Sequence, residues 1–232
     1  MSETQGKLYI VSTPIGNLGD MTYRAVETLQ NVPMIAAEDT RHSRKLLSHY
    51  GISTPLISYF EHNRFTRIPK IIDHLNSGKD LAVITDAGTP GISDPAYKLV
   101  REALLHAITV ESIPGASASL AALVSSGLPT DRFLFEGFLP PKKGRKARIA
   151  RVENEQSTFI YYESPKRLQR TLKQLLEGLG NRPAVVAREL TKLYEEIKRG
   201  TLSELLTYFT THPPKGECVI LVGKDDPNVY FK

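Results

Sequence analysis

Three glycine-bearing loops in this 232-residue chain carry residue types that hold a small ligand by its polar edges. They read Thr13-Pro14-Ile15-Gly16-Asn17-Leu18-Gly19-Asp20, Asp86-Ala87-Gly88-Thr89-Pro90-Gly91-Ile92-Ser93-Asp94-Pro95 and Pro114-Gly115-Ala116-Ser117-Ala118. Glycine lets a backbone approach a ligand closely, and Thr or Ser hydroxyls orient it. Any one of these loops alone reads as a tight turn; the three together read as a shared pocket. No dinucleotide or P-loop signature is present, and 115–119 lacks the closing glycine of a nucleophile elbow, so serine-hydrolase chemistry is set aside.

Charge gathers beside the loops. Glu38-Asp39-Thr40-Arg41, Glu61-His62-Asn63-Arg64, Glu163-Ser164-Pro165-Lys166-Arg167 and Arg188-Glu189-Leu190-Thr191-Lys192 each set carboxylates within a few residues of cations. Such pairs orient substrates or, more often, close structural salt bridges. Pro165 after Glu163-Ser164 also has a plain helix-capping explanation. Lys142, Lys143, Arg145, Lys146, Arg148 and Arg151 put six cations into ten residues, which reads equally as a solvated helix face or as a phosphate-contacting surface. The net charge of +5 leans mildly towards a polyanionic partner. The lone Cys218 excludes an intrachain disulfide and a Cys-based zinc site, and six histidines without HExxH give no ground for a metal, so none is expected. The N-terminal MSETQGKLYIVS has no apolar run suited to a signal peptide or membrane span, and a cytoplasmic location is expected.

The elements that must position these groups alternate β-branched apolar runs with amphipathic stretches, the βαβ pattern of a mostly parallel sheet. Strands are predicted at 8–12, 34–37, 55–58, 81–85 and 108–113, and helices at 22–30, 42–50, 64–76 and 94–106. In 64–76, Ile68, Ile71, Ile72 and Leu75 fall at helical spacing and Gly78 supplies the stop. Asp94 is the expected N-cap of the fourth helix, with Pro95 at its first position. The loops then lie at the carboxyl edge of the strands, where open α/β sheets bind ligands. Pro114-Gly115 breaks the pattern and sets the expected boundary between an N-terminal α/β domain, 1–114, and a C-terminal one, 115–232. The second half predicts helices at 116–125, 143–153, 165–178 and 202–210 and strands at 132–137, 158–163, 185–190, 193–199 and 217–222. Strand following strand there points to a mixed or antiparallel sheet.

At these motifs the sequence resembles the tetrapyrrole (corrin/porphyrin) methylase family. Within it, the chain is similar to the branch that 2′-O-methylates the ribose of a cytidine in the decoding region of 16S ribosomal RNA. The resemblance is carried by Leu8 to Leu18, Ala36 to Arg41, Asp86 to Pro95, Gly127 to Phe133, Glu136 to Pro140, Tyr162-Glu163-Ser164 and Ala187 to Lys192, in order along almost the whole chain. It implies a two-domain α/β fold, usually homodimeric, with S-adenosylmethionine held in a cleft between the domains. Carried over by position, the cofactor contacts are Pro14, Ala87, Gly88, Thr89, Ile92, Ser117 and Ala118, with Tyr162 and Leu190 from the second domain. The family's Gly-Asp-Pro element stands here as Gly88-Thr89-Pro90, so an acidic residue has become Thr89. Members of the RNA branch usually run on well past the final strand with a basic extension, whereas this sequence stops at Lys232; cofactor binding is expected to be independent of that extension.

Methyl transfer from a sulfonium is an in-line displacement, in which alignment of acceptor, methyl carbon and sulfur contributes roughly 7–11 kcal/mol. A ribose hydroxyl is a poor nucleophile and needs a base or a polarising cation beside it. Asp39, Glu163 and Lys192 are the candidates, with Arg41 and His62 positioning phosphate or base; lysine serves only if its pKa is lowered. Lys142, Lys143, Arg145, Lys146, Arg148 and Arg151 would then contact RNA phosphates, with ribosomal RNA or the small subunit as partner. Two other readings stay open: a methylase of a carboxylate-rich tetrapyrrole, and a non-catalytic RNA-binding protein of the same fold.

Overall fold

The structure, a computed structural model, describes residues 5–231. The first residues of the N-terminal segment read above and Lys232 lie outside them. The chain forms two compact units, one ending at Ser117 and the other beginning at Ala118.

The first unit is a parallel sheet of five strands, β1 (Leu8–Val11), β2 (Ile35–Ala37), β3 (Leu56–Ser58), β4 (Leu81–Ile84) and β5 (Val110–Ile113), in the order β3-β2-β4-β1-β5. Its central strands are apolar on both faces because both faces are covered. Leu8, Ile10, Leu81 and Val83 pack against α3 (Arg64–Asn76) and α4 (Ala96–Leu105) through Ile71, Ile72, Leu75, Leu99 and Ala103. Val11, Ile35, Ala82 and Ile84 pack against α1 (Tyr23–Asn31) and α2 (Thr40–His49) through Ala25, Leu29 and Leu47. The chain leaves β1 towards β2 and leaves β4 in the opposite sense towards β5. The reversal puts the topological switch point at the carboxyl ends of the adjacent strands β1 and β4.

The predicted start of α4 needs a small correction. Asp94 lies two residues before the helix, yet its carboxylate does the capping: Oδ1 accepts from the Ala96 N–H (2.8 Å) and Oδ2 from the Gly91 N–H (2.7 Å). One side chain thus closes the glycine loop and opens the helix.

In the second unit, β6 (Phe133–Phe138), β7 (Thr158–Glu163), β8 (Pro183–Arg188), β9 (Glu196–Thr201) and β10 (Cys218–Val222) form a mixed sheet, β6-β7-β10-β8-β9. Among the described strands the β6–β7 pair alone is parallel, and a bulge between Phe135 and Gly137 (φ +62°) interrupts the register of β6. The helices α6 (Arg145–Ala150), α7 (Leu168–Leu179) and α8 (Leu202–Thr211) share one core with Phe159, Tyr161, Val186 and Ile220. The small-residue helix α5 (Ala118–Ser126) lies against the other face, over β7, β8, β9 and β10. The basic helix is shorter than the predicted 143–153: it opens at Gly144 in the left-handed region (φ +88°) and ends at Ala150. Both halves are α/β, as the alternation of periodicities implied.

Candidate active site

The three glycine loops of the first unit are tied into one knot at the switch point. Thr13 N–H donates to the Gly88 carbonyl (2.9 Å) and Gly88 N–H returns the bond to Thr13 (3.1 Å), an isolated antiparallel bridge between the β1 and β4 exits. Thr89 Oγ1 donates to the Ala116 carbonyl (3.2 Å), which leaves it to accept from Ser12 Oγ at 2.9 Å. A Cβ on Gly115 would stand 2.9 Å from Ser12 Cβ, so only glycine lets the third loop come this close. Gly88 (φ +84°) holds a left-handed conformation, and Ser93 does so without being glycine (φ +70°), a conformation that costs of order 1–3 kcal/mol and gathers at ligand sites. Pro14 and Gly88 are buried, while Ala87 and Ile92 face solvent. The structure therefore brings Pro14, Gly88 and Thr89 together with the loop that leads to Ser117.

Carboxylates stand at the neighbouring strand exits. Glu38 accepts from Thr85 Oγ1 (2.8 Å), and Asp86 accepts from the Asp39 N–H (3.1 Å). Asp39 caps α2 through the Arg41 N–H (2.8 Å) and pairs with the Arg41 guanidinium (3.0 Å), whose hydrogen bond holds its pKa down to about 2. Asp86 moves the other way: burial, then the nearby Glu38 and Asp39 charges, raise its pKa despite the Asp39 N–H. Sequence reasoning gives Asp86 no role; its raised pKa comes first from burial and then from Glu38 and Asp39 nearby, which spacing alone does not reveal. His62 is exposed, with its ring edge-on to Phe60 at 6.3 Å.

In the second unit, Tyr162 reaches the start of α5. Tyr162 Oη accepts from the Ser119 N–H in the first turn of α5 (3.1 Å), and its ring lies edge-on to Phe135 and Phe138. Leu190 is buried between two left-handed residues, Glu189 (φ +50°) and Thr191 (φ +67°). For β-branched Thr191 this is a genuine outlier.

Two expected bases are not free to act as bases. Glu163 is 2% exposed: Oε1 accepts from the Ser164 N–H and pairs with Arg167 (2.7 Å), while Oε2 accepts from Thr171 Oγ1 (2.6 Å) and faces Arg145 (3.6 Å). Lys192 is pulled down by burial, but its bonds to Glu189 (2.9 Å) and Glu217 (3.0 Å) outweigh that and raise its pKa, so it stays protonated. Arg145 is also corrected. It is 2% exposed and donates to Pro140, Thr171 and Gln174, so it supports Glu163 and cannot meet a phosphate. Arg148 is spent on Glu136 (2.5 Å), whereas Lys142, Lys143, Lys146 and Arg151 face solvent.

The loop knot offers hydroxyls, peptide groups and apolar Ile92, with no lysine or arginine in it and carboxylates alongside. With carboxylates beside it, that donor set suits a positively charged sulfonium cofactor. Among the described residues, no group of three His, Cys, Asp or Glu side chains is placed to hold a metal ion.

The chain belongs to the tetrapyrrole (corrin/porphyrin) methylases, whose family model matches residues 7–206. It is thus a methyltransferase, with S-adenosylmethionine as methyl donor. It is 54% identical to the ribosomal RNA small subunit methyltransferase I of Synechocystis sp., over 94% of this chain and 79% of that protein. Its identity to the protein of the same name from Halalkalibacterium halodurans is 49%, over 97% and 78%. A uroporphyrin-III C-methyltransferase of Thermus thermophilus matches with a TM-score of 0.67 at 17% identity, covering 95% of each chain, and so shares the fold.

Proposed function

We propose that this chain transfers the S-adenosylmethionine methyl group to the 2′-hydroxyl of a cytidine in small-subunit ribosomal RNA, acting in the cytoplasm as a homodimer. The observation that carries the substrate is the identity of about half, over nearly the whole chain, to proteins named for small-subunit ribosomal RNA methylation. The outward side of α5, with Leu120 and Val124 exposed, is apolar surface that pairing of two copies would cover.

When bound, S-adenosylmethionine supplies an electrophilic methyl group on a positively charged sulfur. The knot of Thr13, Gly88, Thr89 and Ala116 presents peptide groups at a fixed edge, and Ile92 gives the cofactor an apolar wall. By family resemblance, further cofactor contacts are assigned to Pro14, Ala87 and Ser117 of the first unit and to Ala118, Tyr162 and Leu190 of the second. Glu163, Lys192 and the ionised, Arg41-bound Asp39 are poorly suited to take up a proton. We assign the ribose proton to Asp86, whose carboxylate stands at the β4 exit beside the glycine loop and is the more basic for its burial. Arg41, 87% exposed, remains available to an RNA phosphate once it leaves Asp39.

The test is methyl transfer from labelled S-adenosylmethionine to small-subunit RNA and to intact small subunits, with alkaline hydrolysis of the product. A 2′-O-methyl group protects the adjacent phosphodiester, so one resistant dinucleotide beginning with cytidine is expected. Label on a base, or on a tetrapyrrole and not RNA, would sink the reading.

A further inference from the structure

The first unit carries a groove that neither the glycine loops nor the basic stretch at 142–151 uses. It lies between α3 and α4, has a volume of about 350 Å³, and has Ile68 and Pro69 in its lining. That is within the range of small-molecule sites, about 300–1,000 Å³. Arg64 and Phe65 form one wall and Lys98 and Arg101 the other. On the first wall the Arg64 guanidinium lies 4.7 Å from the Phe65 centroid; beside the second, Lys98 Nζ lies 5.5 Å from the ring centroid of Tyr97, which is outside the groove lining.

Phe65 is 76% exposed and Tyr97 54%, so each ring leaves a face open to a stacking partner. Arg64 is paired with Glu61, and the one carboxylate lining the groove, Glu102, is turned to His106 (3.5 Å). Among the described residues, neither Lys98 nor Arg101 has a carboxylate partner. Position matters as much as composition. Phe65, Tyr97 and Lys98 sit in the first turns of α3 and α4, and these helices follow β3 and β4 directly, so they lie at the carboxyl edge that carries the glycine loops.

We infer that this groove binds a single-stranded stretch of the RNA substrate, with a base stacked on Phe65 and backbone phosphates held by Lys98 and Arg101. Exposed aromatic faces with interleaved cations are the means by which proteins hold unpaired nucleotides, since every base has a face to stack. A duplex would hide those faces, so a loop or an opened strand is the ligand. The inference rests on an RNA substrate and deepens that reading by naming where the strand leaves the reaction centre.

The experiment uses the full chain with a fluorescent single-stranded oligoribonucleotide, at several salt concentrations, with calorimetric S-adenosylmethionine binding and thermal melting as controls. Phe65→Ala is expected to weaken RNA binding roughly 5- to 150-fold, the worth of one stacked base. Lys98→Ala with Arg101→Ala is expected to flatten the log–log salt dependence by about 1.4, at roughly 0.7 per phosphate on a single strand. Cofactor affinity and melting temperature should stay at wild-type values. Wild-type affinity and salt slope in both variants would overturn the groove, as would a wild type that binds no RNA. Variants that lose only assembled subunits and keep naked RNA would assign the groove to a protein partner instead. The two readings separate cleanly: groove-dependent RNA binding without methyl transfer sinks the activity and keeps the groove, and methylation with unchanged KM in the variants does the reverse.

Discussion

At the scale of single residues, the deciding quantity is what each carboxylate faces. Asp39 and Asp86 follow strands and Glu163 ends one, yet Asp39 is held by Arg41, Asp86 is buried near other carboxylates, and Glu163 is buried between two arginines. The motif spacing set Arg41 beside Asp39 and Arg167 beside Glu163, but not Arg145 and Thr171 against Glu163 or Glu38 near Asp86, which come from other elements. Asp86 gives a test with a definite sign. Its folded pKa is raised, so the folded chain loses stability as pH climbs through the unfolded value, about 3.9, and on through the folded one. Asp86→Asn keeps the acceptor for the Asp39 N–H and removes that cost. Its melting temperature at pH 7 should equal or exceed wild type, with the gap closing below pH 4, while kcat falls; a variant that melts lower at neutral pH contradicts the account. Glu163→Ala acts oppositely. It strands Arg145 in the interior, and denaturant unfolding of the second unit should show a loss of about 3–5 kcal/mol.

At the scale of elements, legibility tracked how local the cause was. The helix over 64–76 was readable from its own apolar spacing, even with Pro69 inside, and its bounds agree with the structure. The basic helix was not. Six cations in a row of ten look uniformly solvated, and only Glu163 on β7 and Thr171 on α7 explain why Arg145 turns inward. The strand predicted at 193–199 lies at Glu196–Thr201 because the segment before it spends its residues on the left-handed turns of Glu189 and Thr191. The glycine loops were legible as loops, but their stitching through Ser12, Thr89 and Ala116 is a tertiary fact. Gly115→Ala should therefore wedge the third loop away from Ser12 and weaken S-adenosylmethionine binding at least tenfold by calorimetry, with the chain still folded. Gly88→Ala meets Ile15 only at 3.4 Å and is strained chiefly by its φ; a stability loss of about 1–2 kcal/mol is expected in thermal melts.

At the scale of the whole molecule, alternating periodicities announced two α/β halves, but not the strand orders, which put β1 beside β4 and so create the switch point. A ligand gripped there binds only the folded chain. S-adenosylmethionine at 100 times its Kd should add about 2.7 kcal/mol of apparent stability, read as a rise in melting temperature that grows with ligand concentration. The edges of the two sheets have a consequence for handling and evolution alike. β3 has three residues and follows Pro55, β5 carries Glu111, β9 presents Lys198 and Arg199, and β6 is interrupted by its bulge between Phe135 and Gly137. Each is a known guard against main-chain pairing with a neighbour. The folded chain should thus resist fibril formation when concentrated, and copies that do associate are expected to meet through side chains and not by joining sheet edges.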